Sequence, residues 1–186
     1  MRGLFAVALV ALGVTGCGYN TIQSNDEAAA AAKQQIEVQL QRRAELIGNL
    51  VETVKGQANQ ELEVFTQVAR ARAGLTNAIQ GGNPADMANA NEQLTTAMRG
   101  LTIAVEAYPQ IKSDQAFLRL MDELTGTENR IAVARTDYNE AVQRHNTYIR
   151  RFPVVITAKI TGAKPREYFE VTNAANRDAP KVDFKK

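Results

Sequence analysis

The stretch that decides the fold is residues 36–69, IEVQLQRRAELIGNLVETVKGQANQELEVFTQVA. Its apolar residues recur at helical spacing, which places them on one face of an amphipathic helix. They are Ile36, Leu40, Ile47, Leu50, Val51, Val54, Ala58, Leu62, Phe65, Val68 and Ala69. Ser24 followed by Glu27 forms a capping box, so we predict that this helix begins at Ser24 and ends at Gly81-Gly82.

Two further apolar stripes predict two more long helices. Asn83 before Pro84 is a favourable start for the first of them, which spans residues 84–108. The second spans residues 113–152, and a proline follows each helix. Because the run at residues 154–157 is rich in β-branched side chains, we predict an extended, packed C-terminal tail.

Length limits how these helices can pack. At about 1.5 Å per residue, residues 25–80 as a single helix would reach roughly 84 Å, against about 37 Å and 60 Å for the other two. Glycine costs about 1 kcal/mol in a helix interior, so Gly48 and Gly56 are the weak points. We therefore predict an all-α, up-and-down four-helix-type bundle with a break or bend near these glycines, and three long helices as the alternative.

Composition agrees with this fold and excludes much chemistry. The 186 residues include 22 Lys plus Arg and 20 Asp plus Glu, and this net charge of +2, spread along the chain, argues against nucleic-acid binding. The only histidine, His145, excludes two-histidine zinc and di-iron sites, and continues an apolar stripe as a hydrogen-bonded packing residue. Neither Ser24 nor Ser113 lies in a nucleophile elbow. We predict no catalytic residues, no metal and no cofactor.

The N-terminus resembles a bacterial lipoprotein signal. Arg2 precedes an apolar stretch over residues 4–14, and the chain's only cysteine, Cys17, follows directly after residues 14–16, Val-Thr-Gly. Small residues at that point suit a signal peptidase, and the thiol that follows accepts the lipid. An uncleaved membrane helix is the less favoured alternative, because the apolar stretch falls short of the roughly 20 residues needed to span a bilayer.

The predicted organisation has three parts: a signal peptide over residues 1–16, a lipidated anchor with a short tether over residues 17–24, and a helical domain over residues 25–184. Acyl chains such as palmitate on Cys17 would insert at about 0.8 kcal/mol per buried methylene, so anchoring would be effectively permanent. Gly18 in place of an aspartate resembles lipoproteins of the outer membrane. We therefore expect a position on the outer membrane, facing the periplasm, rather than on the inner membrane.

Several charged residues interrupt the apolar stripes. Arg43 falls between Leu40 and Ile47, and both Glu128 and Arg135 share an apolar face of the last long helix. Such charges must be paired inside the bundle or must extend along its edge to reach water. The paired alternative is an interhelical network that fixes helix register or lines a recognition surface. It would consist of Arg43, Asn49, Glu128, Arg135 and Asn139.

Motifs along most of the chain resemble the LemA family. In chain order they are YN at 19–20, QRR at 41–43, NLVETVKG at 49–56, ARA at 71–73, EAYP at 106–109, TENRIAVAR at 127–135, DYN at 137–139, FP at 152–153, YF at 168–169 and VDF at 182–184. The resemblance implies a membrane-tethered, mostly helical bundle outside the cytoplasmic membrane, in a family without an established biochemical activity. It also suggests a TPM-domain protein or a membrane protease as a neighbour.

We predict from these features a lipid-anchored scaffold or interaction protein of the cell envelope without catalytic activity. Its expected partners are the membrane, through the lipid, and another envelope protein. The alternative is a carrier or sensor that binds a small apolar ligand between helices.

Overall fold

The computed structural model describes residues 18–55 and 62–171, which contain six helices and no strand. The all-α prediction is therefore confirmed for these residues. The helices are α1 Tyr19–Lys55, α2 Leu62–Gly81, α3 Pro84–Val105, α4 Pro109–Lys112, α5 Gln115–Tyr148 and α6 Val154–Thr161. A segment without regular structure, residues 163–171, follows α6 and is called the tail below.

The chain divides into two compact units. In the described residues, the first unit comprises residues 18–39 and 129–168, and the second comprises residues 40–55, 62–128 and 169–171. The division falls inside α1 and inside α5, so each of these helices contributes one part to each unit.

Apolar side chains at the predicted helical spacing form the interior of both units. In the second unit they come from α1, α2, α3 and α5, and α2 and α3 pack against each other as a helical hairpin. The buried positions there include Leu40, Ile47, Leu50, Val54, Phe65, Val68, Leu75, Met87, Leu94, Leu101 and Leu124. In the first unit they include Ile22, Ala29, Ile36, Ile131, Ala134, Tyr138, Val142 and Ile149.

Helix α1 begins at Tyr19, so the predicted start at Ser24 is wrong. The Gly18 carbonyl oxygen accepts a 2.9 Å hydrogen bond from the Ile22 amide. Ile22 is buried in a cluster with Ile149, Val154 and Ala158. This packing stabilises the turn before Ser24 more than a capping box at Ser24 could.

The stretch over residues 25–80 carries α1 up to Lys55 and α2 from Leu62 onward, with residues 56–61 outside the described residues. The predicted break at Gly48 is wrong, because α1 continues through this residue to Lys55. Buried Ile47 and Leu50 flank the glycine, and their packing outweighs its low helix propensity. Gly56, the other predicted break, lies outside the described residues.

The turn between α2 and α3 matches its prediction. Helix α2 ends at Gly81, and Asn83 then caps α3 by accepting hydrogen bonds from the amides of Ala85 at 2.8 Å and Asp86 at 3.0 Å. Pro84 occupies the first position of α3, where its missing amide hydrogen has no cost.

In the second half of the chain, α5 is shorter than the helix predicted over residues 113–152. It begins at Gln115, after Asp114, whose carboxylate accepts from the amide of Ala116 at 2.8 Å, and it ends at Tyr148. Residues 154–157, predicted to be extended, form the start of α6. Val154 and Ala158 are buried against Ile22 and Ile149 on one face of this short helix, so tertiary packing overrides β propensity. The extended tail begins only after Gly162, whose φ of 73° ends α6 in the left-handed region.

We expect two glycine substitutions to change stability in opposite directions. Gly74 lies inside α2, and a Cβ there would meet nothing within 4 Å, so Gly74→Ala should stabilise the protein by about 1 kcal/mol through helix propensity. A Cβ at Gly162 also meets nothing within 4 Å, but its left-handed backbone should make Gly162→Ala destabilising by about 1 to 2 kcal/mol. Urea unfolding followed by circular dichroism measures both, and changes of the same sign would contradict this account.

Candidate functional site

A buried polar cluster in the second unit centres on Arg43. Its side chain is only 7% exposed and forms an ion pair with Glu128, with 2.6 Å between Nη2 and Oε2. The same guanidinium donates to the side-chain oxygen of Asn91 and, at 3.1 Å, to the hydroxyl of Thr95. These four residues, the arginine cluster, link α1 to both α3 and α5.

The electrostatics of the arginine cluster follow from burial. Loss of water around the guanidinium lowers the pKa of Arg43, and the nearby carboxylates of Glu128 and Glu92 act in the opposite direction. Arginine keeps its proton throughout the ordinary pH range, so a full positive charge lies inside the second unit. The half-exposed Glu128 carboxylate is its closest counter-charge.

The structure brings together two of the five residues predicted for an interhelical network, Arg43 and Glu128. Asn49 and Arg135 are both exposed, and their membership of the network stays a prediction. Asn139 is half-buried in the first unit. Asn91 and Thr95, which complete the arginine cluster, were missed. The sequence feature that could have identified Asn91 and Thr95 is their spacing: the two polar residues lie four positions apart, next to the buried Leu94.

A second polar cluster holds the tail in the first unit. The Asp26 carboxylate of α1 accepts two hydrogen bonds from the Arg166 guanidinium, at 2.7 Å and 2.9 Å. The side-chain amide of Asn146 donates to the Arg166 carbonyl at 2.9 Å and accepts from the Arg166 amide at 2.8 Å. We call Asp26, His145, Asn146 and Arg166 the tail cluster. Within it, Asp26 binds the side chain of Arg166 and Asn146 binds the backbone of the same residue.

Two more side chains of α5 hold the tail backbone. The Tyr138 hydroxyl donates to the Glu167 carbonyl at 2.7 Å, and burial raises the pKa of this phenol. His145 Nε2 lies 3.1 Å from the Lys164 carbonyl oxygen, which can only accept, so Nε2 is the donor. The prediction that His145 is a hydrogen-bonded packing residue is confirmed, since it is almost completely buried.

These contacts define what the polar groups can do chemically. In both clusters the acidic, basic and imidazole groups contact other side chains or the backbone of the tail. Among the described residues, no three His, Cys, Asp or Glu side chains form a group that could hold a metal ion. Ser113 directly follows α4, and its hydroxyl donates to the carbonyl of Pro109, the first residue of that helix. Cys17, the predicted lipidation site, lies outside the described residues.

None of the helices in the described part of the chain has the combination of length and hydrophobicity needed to cross a membrane.

Comparison with known sequences settles the family. The LemA family profile matches residues 32–184. The chain belongs to the LemA family. The match includes the arginine cluster and the tail, whereas Asp26 of the tail cluster precedes it. The family resemblance of the sequence motifs is therefore confirmed.

The curated relatives of this LemA-family chain include three magnetosome proteins. MamQ 1 and MamQ 2 of Paramagnetospirillum magneticum are each 31% identical to it, and each match covers 82% of the chain. MamQ of Magnetospirillum gryphiswaldense is 29% identical, and the match covers 81% of the chain. In all three cases the match spans 64% of the relative's own length.

Charge removal tests how strongly the Arg43–Glu128 pair couples α1 to α5. In a cycle of Arg43→Gln, Glu128→Gln and the double variant, we expect a coupling free energy of about 1.5 to 3 kcal/mol, because a hydrogen-bonded charge is buried. The exposed Arg42–Glu123 pair, at 3.4 Å with side chains 54% and 52% exposed, joins the same two helices. Its cycle is the matched control and should give about 0 to 1 kcal/mol. Equal couplings in denaturant unfolding would contradict the assignment.

The tail cluster predicts a dependence of stability on acid pH. The hydrogen bond from Arg166 lowers the pKa of Asp26 below its usual value of 3.8, and burial opposes part of this effect. Because the folded pKa is the lower one, the stabilisation is complete above the unfolded pKa and is lost as pH falls through the folded pKa. We expect Asp26→Asn to unfold more easily at neutral pH and to lose less stability than the wild type on acidification. An acid profile identical to that of the wild type would refute this prediction.

Proposed function

We propose that this LemA-family protein is a lipid-anchored scaffold of the cell envelope that binds another envelope protein and has no catalytic activity. The observation that carries the proposal is the use of its internal polar groups. Arg43 joins three helices, and Asp26 and Asn146 fasten Arg166 of the tail. Groups held in fixed ion pairs and backbone hydrogen bonds stabilise a shape rather than activate a substrate, which supports a role in binding.

The long helices support the scaffold role. Helix α1 has 37 residues and α5 has 34, so at the standard rise they extend for about 55 Å and 51 Å. The ion pair between Arg43 and Glu128 joins these two helices. Long helices held in this way display their side chains at constant spacing, as a stable recognition surface requires. Exposed aliphatic residues such as Val133 on α5 and Ile103 on α3 are available for such contacts.

The proposed anchor is Cys17, acylated after removal of residues 1–16. The apolar stretch, the small residues before the cysteine and the chain's single thiol support this assignment. We propose the periplasmic face of the outer membrane as its location, on the basis of Gly18. The relatives are named magnetosome proteins, and we propose that this chain shares with them a helical scaffold rather than a particular organelle.

We propose an envelope protein as the partner, a TPM-domain protein or a membrane protease by family analogy. The surface depression formed by α1 and α5 in the first unit opens widely to solvent, whereas the alternative function, a carrier of an apolar ligand, needs an enclosed space between helices. Polar and apolar side chains both line it. They are Gln35, Gln39, Asn129, Arg130 and Asp137, beside Val133 and Ala134.

Anchoring and partner binding can be tested together in intact cells. We expect the wild-type chain to incorporate a palmitate analogue and to crosslink to one recurrent envelope protein from a photoreactive residue at Val133. Cys17→Ser should remain an unprocessed precursor without label, and it should lose the crosslink, because the chain no longer reaches its membrane. Mass spectrometry of the purified crosslinked species identifies the partner.

A thiol placed elsewhere is the matched control for the anchor. Adding Ser24→Cys to Cys17→Ser restores a cysteine without the signal sequence around it, and we expect no label on this variant. Labelling of either variant would refute the lipoprotein assignment. A wild-type chain that crosslinks to no envelope protein would refute the scaffold role.

A further inference from the structure

Residues 150–166, RRFPVVITAKITGAKPR, contain five basic residues and no acidic one. The net charge of the whole chain, +2, conceals this local excess. Asp26 neutralises one of the five, Arg166, through their ion pair. The side chains of Arg150, Arg151, Lys159 and Lys164 are exposed around α6.

Helix α6 has a buried face and an exposed apolar face. Val154 and Ala158 belong to the apolar cluster of the first unit. On the other side, Ile156 and Ile160 are exposed, and their spacing of four residues places them next to each other along the helix. Ile160 is 72% exposed, and Phe152, just before the helix, is 83% exposed. Phe152, Ile156 and Ile160 are called the α6 surface.

The α6 surface lies next to the point where the chain leads to Cys17. A Cβ on Gly18 would be 3.1 Å from a methyl group of Val154, so the backbone of Gly18 contacts the first turn of α6. Ile22, one helical turn later, packs into the same cluster as Val154. Cys17 is bonded directly to Gly18, and therefore its acyl chains would enter a bilayer beside α6.

We infer that the α6 surface docks on the anionic phospholipid headgroups around the lipid anchor. Exposed aromatic and aliphatic side chains flanked by Lys and Arg are the combination that binds the interface of negatively charged membranes. The apolar side chains enter the boundary between headgroups and acyl chains, and the cations contact lipid phosphates. A single acylated residue leaves the attached domain free to rotate, whereas this second contact sets the orientation of the first unit on the membrane. The inference rests on the proposed acylation of Cys17.

A fluorescent label at Ile160 tests this contact in the full-length acylated protein. We expect an environment-sensitive dye on Ile160→Cys to shift to shorter wavelength in vesicles of phosphatidylcholine and phosphatidylglycerol, and to be quenched by brominated lipid. Omitting phosphatidylglycerol or adding salt should weaken both effects. The control is the same dye on Ile103→Cys, a residue of the same type that is 71% exposed on α3, and it should show neither effect.

Charge substitutions supply a second, independent measurement. Arg151→Gln with Lys159→Gln should reduce the quenching at position 160, because two cations near the headgroups are lost. Arg99→Gln with Arg119→Gln removes the same charge from exposed positions in the second unit and should leave the quenching unchanged.

The outcomes separate this inference from the anchor. Intact mass spectrometry of the labelled protein reports whether Cys17 carries acyl chains. If Cys17 is acylated and the dye at 160 behaves like the dye at 103, docking is refuted while the anchor stands. If Cys17 is not acylated, the dye is placed on Ile160→Cys together with Cys17→Ser, so that position 160 carries the only thiol. Quenching of this dye in anionic vesicles would then leave docking standing and the anchor refuted. A wavelength shift that depends on protein concentration without vesicles would assign the surface to a second copy of the chain, and would overturn the inference.

Discussion

A buried guanidinium needs a partner for each N–H group that water no longer reaches, and Arg43 obtains its partners from two other helices. Glu128 supplies the counter-charge from α5, and Asn91 and Thr95 supply oxygens from α3. The cost of leaving a buried charge unpaired exceeds that of most packing errors, so any sliding of α1 along α3 or α5 is opposed. Apolar side chains can exchange neighbours at similar energy. The arginine cluster therefore selects one register from the several that the apolar stripes alone would allow.

The first unit meets a similar constraint on the backbone of its tail. An extended segment without a neighbouring strand has amides and carbonyls that need partners, and side chains of α5 provide them. Tyr138, His145 and Asn146 lie on one face of the helix and bind Glu167, Lys164 and Arg166 respectively. Asp26 of α1 adds a hydrogen-bonded ion pair with the Arg166 side chain. Residues 164–167 have no large apolar side chain, so these polar contacts account for the defined path of this part of the tail.

The fold and the two clusters differ in how far the sequence predicts them. Helical periodicity identified the long helices and most of the core, because burial of one face is a property of local spacing. Other local signals failed: β-branched residues predicted an extended segment over 154–157, and a capping box predicted a helix start at Ser24. At both places contacts distant in sequence, such as Ile22 with Val154, decide the structure. Spacing placed Arg135 on the apolar face of α5, whereas the buried stripe passes through Ala134 and Arg135 is exposed. The pairing of Arg43 with Glu128 could be anticipated from charges in apolar stripes, but their distant oxygen partners could not.

The distribution of charge connects the scaffold to its proposed membrane. The chain balances 22 basic against 20 acidic residues overall, yet the segment from 150 to 166 lacks acidic residues altogether. Asp26 neutralises the one guanidinium that fastens the tail, and the other cations remain at the surface beside Phe152 and Ile160. Because Ile22 and Val154 pack in one apolar cluster, the end of α1 that continues to Cys17 lies beside α6, which carries the exposed Lys159 on another face. The same apolar contact that overrode the local β propensity thus places the proposed lipid attachment and the proposed headgroup contact side by side.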